Sequence, residues 1–234
     1  EAVPAGPYLN FTLDRTGFST ELVNEVMTRG SDFGSSRRGH GRRVLLEHTS
    51  INPNASPHIG RARNGLIGDT FARLLRFEGY DVNVHYYVND MGKQIGLLVL
   101  QTVGRTDLNF HEVLDLYVEA NKRAESDPSF EAAGFDLLMR REQGDPSAAK
   151  SFGDLVDICL NGQLAVLARL GLSYDTFDRE SSFLTDPRMD KVEAMFREKD
   201  ALFVDDQGRE VVDLQKLGFA REDGRYIVLR RANG

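Results

Sequence analysis

Two periods of apolar positions alternate along this chain, and the switches between them mark its elements. Leu9, Phe11 and Leu13 alternate with Tyr8, Asn10 and Thr12, which predicts a short strand, and a helix is expected over 20–27. Residues 44–47 predict a second strand, and the polar stretch 49–57, with Pro53 and Pro57, reads as a loop. Over 59–78, Ile59, Ala62, Leu66, Ile67, Phe71, Leu74 and Leu75 recur at steps of three and four. That spacing predicts a long helix with this face buried, closed by Gly79 as a left-handed C-terminal cap. Val82, Val84, Tyr86 and Val88 restore the period of two in a strand that ends at Asn89-Asp90-Met91-Gly92, before a helix beginning near Lys93. Strand, helix and strand in this order make a parallel, right-handed unit whose ligands gather beyond the carboxyl ends of the strands. The 50–58 loop and the Asn89-Asp90 turn then share one edge, and the intervening helix points its positive end there.

Helical spacing continues over 110–170 in three segments. The first carries Val113, Leu114 and Tyr117, the second Phe135, Leu138 and Met139, and the third runs over 155–170, with Pro128, Gly144 and Pro146 at the joints. Residues 172–177 predict another strand of the same sheet, followed by Asp178-Arg179-Glu180-Ser181. From Met189 a short helix leads to strand-like pieces at 201–204, 210–214 and 226–229, around Gly208 and an Asp223-Gly224 hairpin signal. The fold class is α/β, without internal repeats.

The 234 residues suit one large domain or a domain with appendages, and 41% hydrophobic with 28% charged residues excludes disordered and fibrous classes. No apolar run approaches the roughly 20 residues of a bilayer span, and residues 1–7 lack an export pattern, so no membrane partner is expected. Cys159 stands alone, which excludes an intramolecular disulfide, fits a reducing cytoplasm and reads as a core residue. A net charge of −7 argues against a surface-wide grip on nucleic acid. The local basic run Arg37-Arg38-Gly39-His40-Gly41-Arg42-Arg43 lies in the 30–43 loop and is either solvated or in contact with phosphate. His85 and His111 lack partners at ligand spacing, so no metal site is expected, and His48 has no aspartate to complete a nucleophile triad. Tyr86 and Tyr87 read as core and pocket wall.

The chemistry concentrates at the start of the 59–78 helix. Gly60 lets a flat base or a phosphate approach the backbone. His58 can donate to a phosphate oxygen whose charge grows during displacement at phosphorus. Arg61 and Arg63 add positive charge, unless they pair with Asp69 or another acid on the helix surface. By itself a His-x-Gly at this point also suits an ordinary capped helix.

The surrounding residues narrow the choice. His58-Ile59-Gly60-Arg61 resembles the His-Ile-Gly-His signature of class I aminoacyl-tRNA synthetases, in the form seen in arginyl-tRNA synthetases. Glu47-His48-Thr49-Ser50-Ile51-Asn52-Pro53 before it, Arg63 to Arg73 after it, Tyr86 to Gln94, and Tyr174 to Phe183 resemble further segments of that family in the same order. The resemblance implies the first half of a Rossmann-like parallel sheet with helical and small β insertions. Residues 1–42 would then be the tail of an N-terminal additional domain with a linker, 43–185 the first half of the catalytic domain, and 186–234 the start of a connective insertion.

The implied activity is ATP-dependent activation of arginine and its transfer to tRNA(Arg), with Mg2+ entering on ATP, in the cytoplasm and with a monomer favoured. His58, Gly60 and Arg61 would bind ATP, with His58 and Arg61 catalytic. Asn52 and Glu180 would hold arginine, a carboxylate suiting the planar guanidinium fork. Ser50, Asp90 and Gln94 would complete the pocket, although Asp90 and Gln94 can equally brace the strand end. Without the resemblance, Glu180 reads as a surface partner of Arg179 or Lys191, and Asn52 as a turn residue. Two positions depart from the family's pattern. Arg61 replaces the last histidine of the signature, keeping a donor and adding a fixed charge. Ala55 stands where members without the lysine-rich second signature carry a compensating lysine, and no Lys-Met-Ser-Lys-Ser loop occurs in these 234 residues. The alternative expectation is therefore a free-standing synthetase-like module that binds nucleotide, tRNA or protein without aminoacylation.

Overall fold

The computed structural model describes residues 1–219 and 224–232. An antiparallel hairpin of β1 (Ala2–Ala5) and β2 (Tyr8–Phe11) precedes α1 (Arg15–Arg29). Asp14 caps α1 by accepting from the backbone N–H of Thr16. The first strand of the hairpin was not legible in the pattern, because Ala, Val and Pro show no alternation of polarity.

The central sheet is parallel, in the order β3 (Arg43–Glu47), β4 (Asp81–Val88), β5 (Thr176–Arg179). Helix α2 (Ile59–Phe77) crosses from β3 to β4, and Gly79 adopts the expected left-handed conformation at φ +82°. The second crossover contains four helices: α3 (Lys93–Thr102), α4 (Phe110–Ser126), α5 (Pro128–Glu142) and α6 (Pro146–Ala168). Pro128 and Pro146 each open a helix, where a missing N–H costs nothing, and Asp127 and Asp145 cap them. Val82, Val84, Tyr86 and Val88 face the helices and are buried, whereas Asp81, Asn83, His85 and Tyr87 form an opposite face that is exposed or half-buried.

Two expectations are corrected here. The buried face of α2 is not its large apolar stripe but Gly65, Gly68 and Ala72. Ile59 is 89% exposed, and Leu66, Ile67, Phe71 and Leu74 are exposed as well. The reason is close approach: an added Cβ on Gly68 would lie 2.2 Å from Cγ of His48, and one on Gly65 would lie 2.6 Å from Leu172. The third strand, expected over 172–177, is Thr176–Arg179 instead. Leu172 and Tyr174 pack into the core before the strand begins, and Asp175 closes the entry by accepting from Val84 N–H at 2.8 Å.

The main core lies between the sheet and α3–α6, around Tyr86, Val88, Leu98, Phe152, Val156 and Cys159. Burial raises the Cys159 thiol to about 12. After β5 come a 3-10 turn (Glu180–Thr185), α7 (Arg188–Glu198) and an antiparallel sheet of β6 (Leu202–Val204), β7 (Glu210–Asp213) and β8 (Tyr226–Arg230). Gly224 precedes β8 with φ +141°, while Asp223 of the expected hairpin signal lies outside the described residues.

Candidate active site

The carboxyl ends of the three parallel strands meet on one edge, as the order of elements requires. The register pairs Glu47 with His85, and Val88 with Arg179, so the segments that leave the strands at His48, Asn89 and Glu180 are neighbours.

The loop between β3 and α2 is polar in sequence but not in position. Within it His48, Thr49, Ile51 and Asn54 are buried. Thr49 and Ser50 both have positive φ, +72° and +41°, a strained pair for side chains with a Cβ, and for β-branched Thr49 above all. Hydrogen bonds hold the strain. Tyr174 donates to Thr49 Oγ1 at 2.8 Å, and the same hydroxyl is hydrogen-bonded to His48 Nδ1, also at 2.8 Å. The other ring nitrogen of His48, Nε2, is buried without a partner among the described residues. Burial holds the His48 ring below its ordinary pKa. Ser50 Oγ donates to the Glu47 carboxylate and accepts from the N–H of Tyr87 at 3.1 Å, tying the loop to β4.

Gln163 of α6 is wholly buried and holds the rest of the loop. Its amide nitrogen faces the carbonyls of Asn52, Pro53 and Ala55 at 2.9, 3.2 and 2.8 Å, and its oxygen accepts from Tyr86 Oη at 3.1 Å. Tyr86 in turn accepts from the N–H of Ile51 at 3.0 Å. Nothing in the local pattern marks Gln163 except its being polar within the apolar run of α6.

Asn52 and Gln94 line one cleft of about 220 Å³, with Asn54, Asn89, Gly92 and Lys93. Asn54 donates to Gln94 Oε1 at 2.8 Å. His58 and Gly60 stand at the exposed start of α2. His58 Nδ1 accepts from the N–H of Gly60 at 3.2 Å, which leaves Nε2 as an outward donor. Arg61 has Nη1 buried without a partner among the described residues, and its charge acts on the Tyr86 phenol. Asp69 pairs with Arg73 at 2.6 Å and not with Arg61.

Glu180 opens the 3-10 turn after β5. The Tyr87 phenol sits beside its carboxylate as a donor, and Asn89, with its amide nitrogen turned toward the carboxylate, donates to Oε2 at 2.9 Å. Burial, then the nearby Asp90 charge, pushes the Glu180 carboxyl above its usual range, and burial together with Glu180 raises the Tyr87 phenol to about 12. Arg179 pairs with Asp157, not with Glu180. Asp90 is 3% exposed, and both its oxygens bind Ser181. The expected residues thus fall into three groups on one edge: Asn52 with Gln94, Asp90 with Glu180, and His58 with Gly60 and Arg61, while Ser50 braces the loop. A larger cleft, about 630 Å³, lies elsewhere, around Arg43, Asp81 and Asn83 at the amino ends of the strands, away from these residues.

The sequence model of a family described as tRNA synthetases class I (R), catalytic domain, matches residues 22–233. Arginine–tRNA ligases of Methanothermobacter thermautotrophicus and Methanocella arvoryzae are 35% and 37% identical over 98% of this chain, which covers 40% and 41% of their lengths. The structure of Thermus thermophilus arginyl-tRNA synthetase matches with a TM-score of 0.70 at 29% identity, over 100% of this chain and 39% of that one. The chain spans about two fifths of the length of these relatives.

Proposed function

This chain belongs to the class I arginyl-tRNA synthetase catalytic-domain family, and on that premise we propose that it carries the first half of a site that activates arginine with ATP and passes it to tRNA(Arg). The observation that carries this reading is Glu180. It is a partly desolvated carboxylate at the end of a parallel strand, oriented by Tyr87 and Asn89 and close to a second carboxylate. Among the described residues no ion pair reaches it, and Arg179, its neighbour in sequence, is engaged by Asp157. Such a group favours a planar cation able to occupy both oxygens, and guanidinium fits.

The arginine carboxylate attacks the α-phosphorus of ATP; the new O–P bond forms as the bond to pyrophosphate breaks. A ribose hydroxyl at the tRNA end then attacks the activated carbonyl and AMP leaves. His58 Nε2 and the N-terminal end of α2 stabilise charge on the phosphates, Gly60 admits the nucleotide, and Arg61 supplies a fixed charge. Asn52 orients arginine, and catalysis is positioning and charge stabilisation. Magnesium enters our scheme with ATP, as the counter-ion of its phosphates. In the same proposal residues 1–42 belong to an additional domain, 43–185 to the catalytic domain and 186–234 to an insertion of a cytoplasmic enzyme.

The test is arginine-dependent exchange of pyrophosphate into ATP by the intact protein with tRNA present. His58→Ala is expected to lower the rate about 100-fold, with a loss of stability of no more than about 1 kcal/mol from the missing cap. Glu180→Gln is expected to raise the arginine KM about tenfold while sparing that of ATP. Equal losses of folding and activity in the first variant, or an unchanged arginine KM in the second, would remove these residues from the site.

A further inference from the structure

Asp90 and Ser181 lie 91 residues apart and join the ends of two adjacent parallel strands. Asp90 Oδ1 accepts from the backbone N–H of Ser181 at 2.8 Å, and Oδ2 accepts from the Ser181 hydroxyl at 2.6 Å. Its own N–H is turned back to the carbonyl of Val88 at 2.9 Å, so the carboxylate has little freedom. Ser181 is the residue after Glu180, and whatever fixes its backbone fixes where the Glu180 side chain begins.

The charge of Asp90 is the informative part. A clamp between two loop ends needs only neutral donors and acceptors, and a buried carboxylate without a cationic partner is costly to keep ionised. Asp90 is nearly wholly buried and takes part in no ion pair among the described residues. The Ser181 contacts therefore set two sequence-distant carboxylates, Asp90 and Glu180, at adjacent strand ends, where the charge of one acts on the other and neither forms an ion pair with a lysine or arginine of the described residues. Arg179, the nearest cation in sequence, is engaged by Asp157. Such a deficit of positive charge is met when a cationic ligand arrives.

We infer that Asp90 is a positioning residue for arginine selection, clamping Ser181 so that Glu180 is held at the strand end and placing a second negative charge behind the substrate guanidinium. The inference rests on the proposed role of Glu180. It assigns two effects to one side chain: the geometry acts through Ser181, and the charge acts on the ligand directly through space. Neither effect reaches the ATP phosphates, which the proposal assigns to the start of α2.

The two effects separate in a set of variants of the intact protein, assayed by pyrophosphate exchange with arginine and ATP varied in turn. Asp90→Asn keeps an oxygen for the Ser181 N–H and removes the charge; Ser181→Ala removes one hydrogen bond and keeps the charge; Asp90→Ala removes both. Asp90→Asn is expected to raise the arginine KM about tenfold, with kcat and the ATP KM changed less than about twofold. Citrulline, the neutral isostere of arginine, used as a competitive inhibitor, is expected to bind Asp90→Asn as well as it binds the parent protein. Ser181→Ala is expected to raise the arginine KM by about threefold, and Asp90→Ala by more than either. In the Glu180→Gln background Ser181→Ala is expected to add less than about twofold, because its target has already been removed.

An unchanged arginine KM in Asp90→Asn, with Glu180→Gln raising it, would overturn the inference alone. So would a loss of kcat and of melting temperature with no change in arginine KM, which is the mark of a purely structural clamp. An unchanged arginine KM in Glu180→Gln would overturn the functional reading first, and the inference with it. Should Asp90→Ala fail to fold, Asp90→Asn and Ser181→Ala still decide the question.

Discussion

Gly68 occupies a position from which a single methyl group is excluded, because the backbone of α2 lies directly against the His48 ring. Alanine is a better helix former than glycine by about 1 kcal/mol, so in an open helix Gly68→Ala would stabilise. Here the clash decides, and the variant is expected to be less stable than the parent by about 1–3 kcal/mol, measured by urea unfolding of the intact protein. A neutral or stabilising result would mean that α2 stands off the sheet. At this scale the sequence was informative about chemistry and misleading about packing. His58 and Gly60 stood out because their residue types suggest a use, and the proposed function assigns them one. The glycines were not, since a glycine inside a helix reads first as a weak point, and the large apolar residues beside it supply the stronger periodic signal.

Between elements, α6 reaches the loop after β3 through one side chain. Gln163 faces three carbonyls and one hydroxyl, and each would be left wholly or partly unpaired if the amide were replaced by an isosteric hydrocarbon. Gln163→Leu is therefore expected to lower stability by about 2–4 kcal/mol, from unsatisfied buried groups at roughly 1–3 kcal/mol each with partial relief by rearrangement. It should also raise the arginine KM, since Asn52 loses its support, while Tyr86 keeps its bond to Ile51. A loss of stability without an effect on arginine would confine Gln163 to the core. Helix and strand periods predicted both partner elements. The contact between them was invisible, because residues 52–55 and 163 share no local pattern and meet only once the crossover has closed.

At the level of the whole molecule, His48 makes stability depend on pH. Its folded-state pKa is held below the ordinary 6.5 by burial, which outweighs the opposing charges of Asp69 and Glu47. The unfolded chain therefore takes up the proton first as pH falls. The contribution of the neutral ring is fully present above 6.5 and is lost as pH drops through 6.5 toward the lower folded value. Melting temperature is expected to fall over that window, and His48→Asn should flatten the dependence; identical pH profiles for the two proteins would remove His48 as the cause. The sequence by itself determined the alternation of strands and helices, the parallel βαβ order, the joints at Pro128 and Pro146, and, through its resemblance to a synthetase family, the segments gathered on the carboxyl edge of the sheet. These are properties of single elements or of residue type, and a linear pattern carries them. Only the tertiary structure decided which face of α2 is buried, that the loop of Thr49 and Ser50 is strained and held from behind by Tyr174 and Gln163, and that Asp90 grips Ser181. Each of those depends on groups far apart in the chain approaching within a few ångströms, and no local period encodes which partner a buried polar group will find.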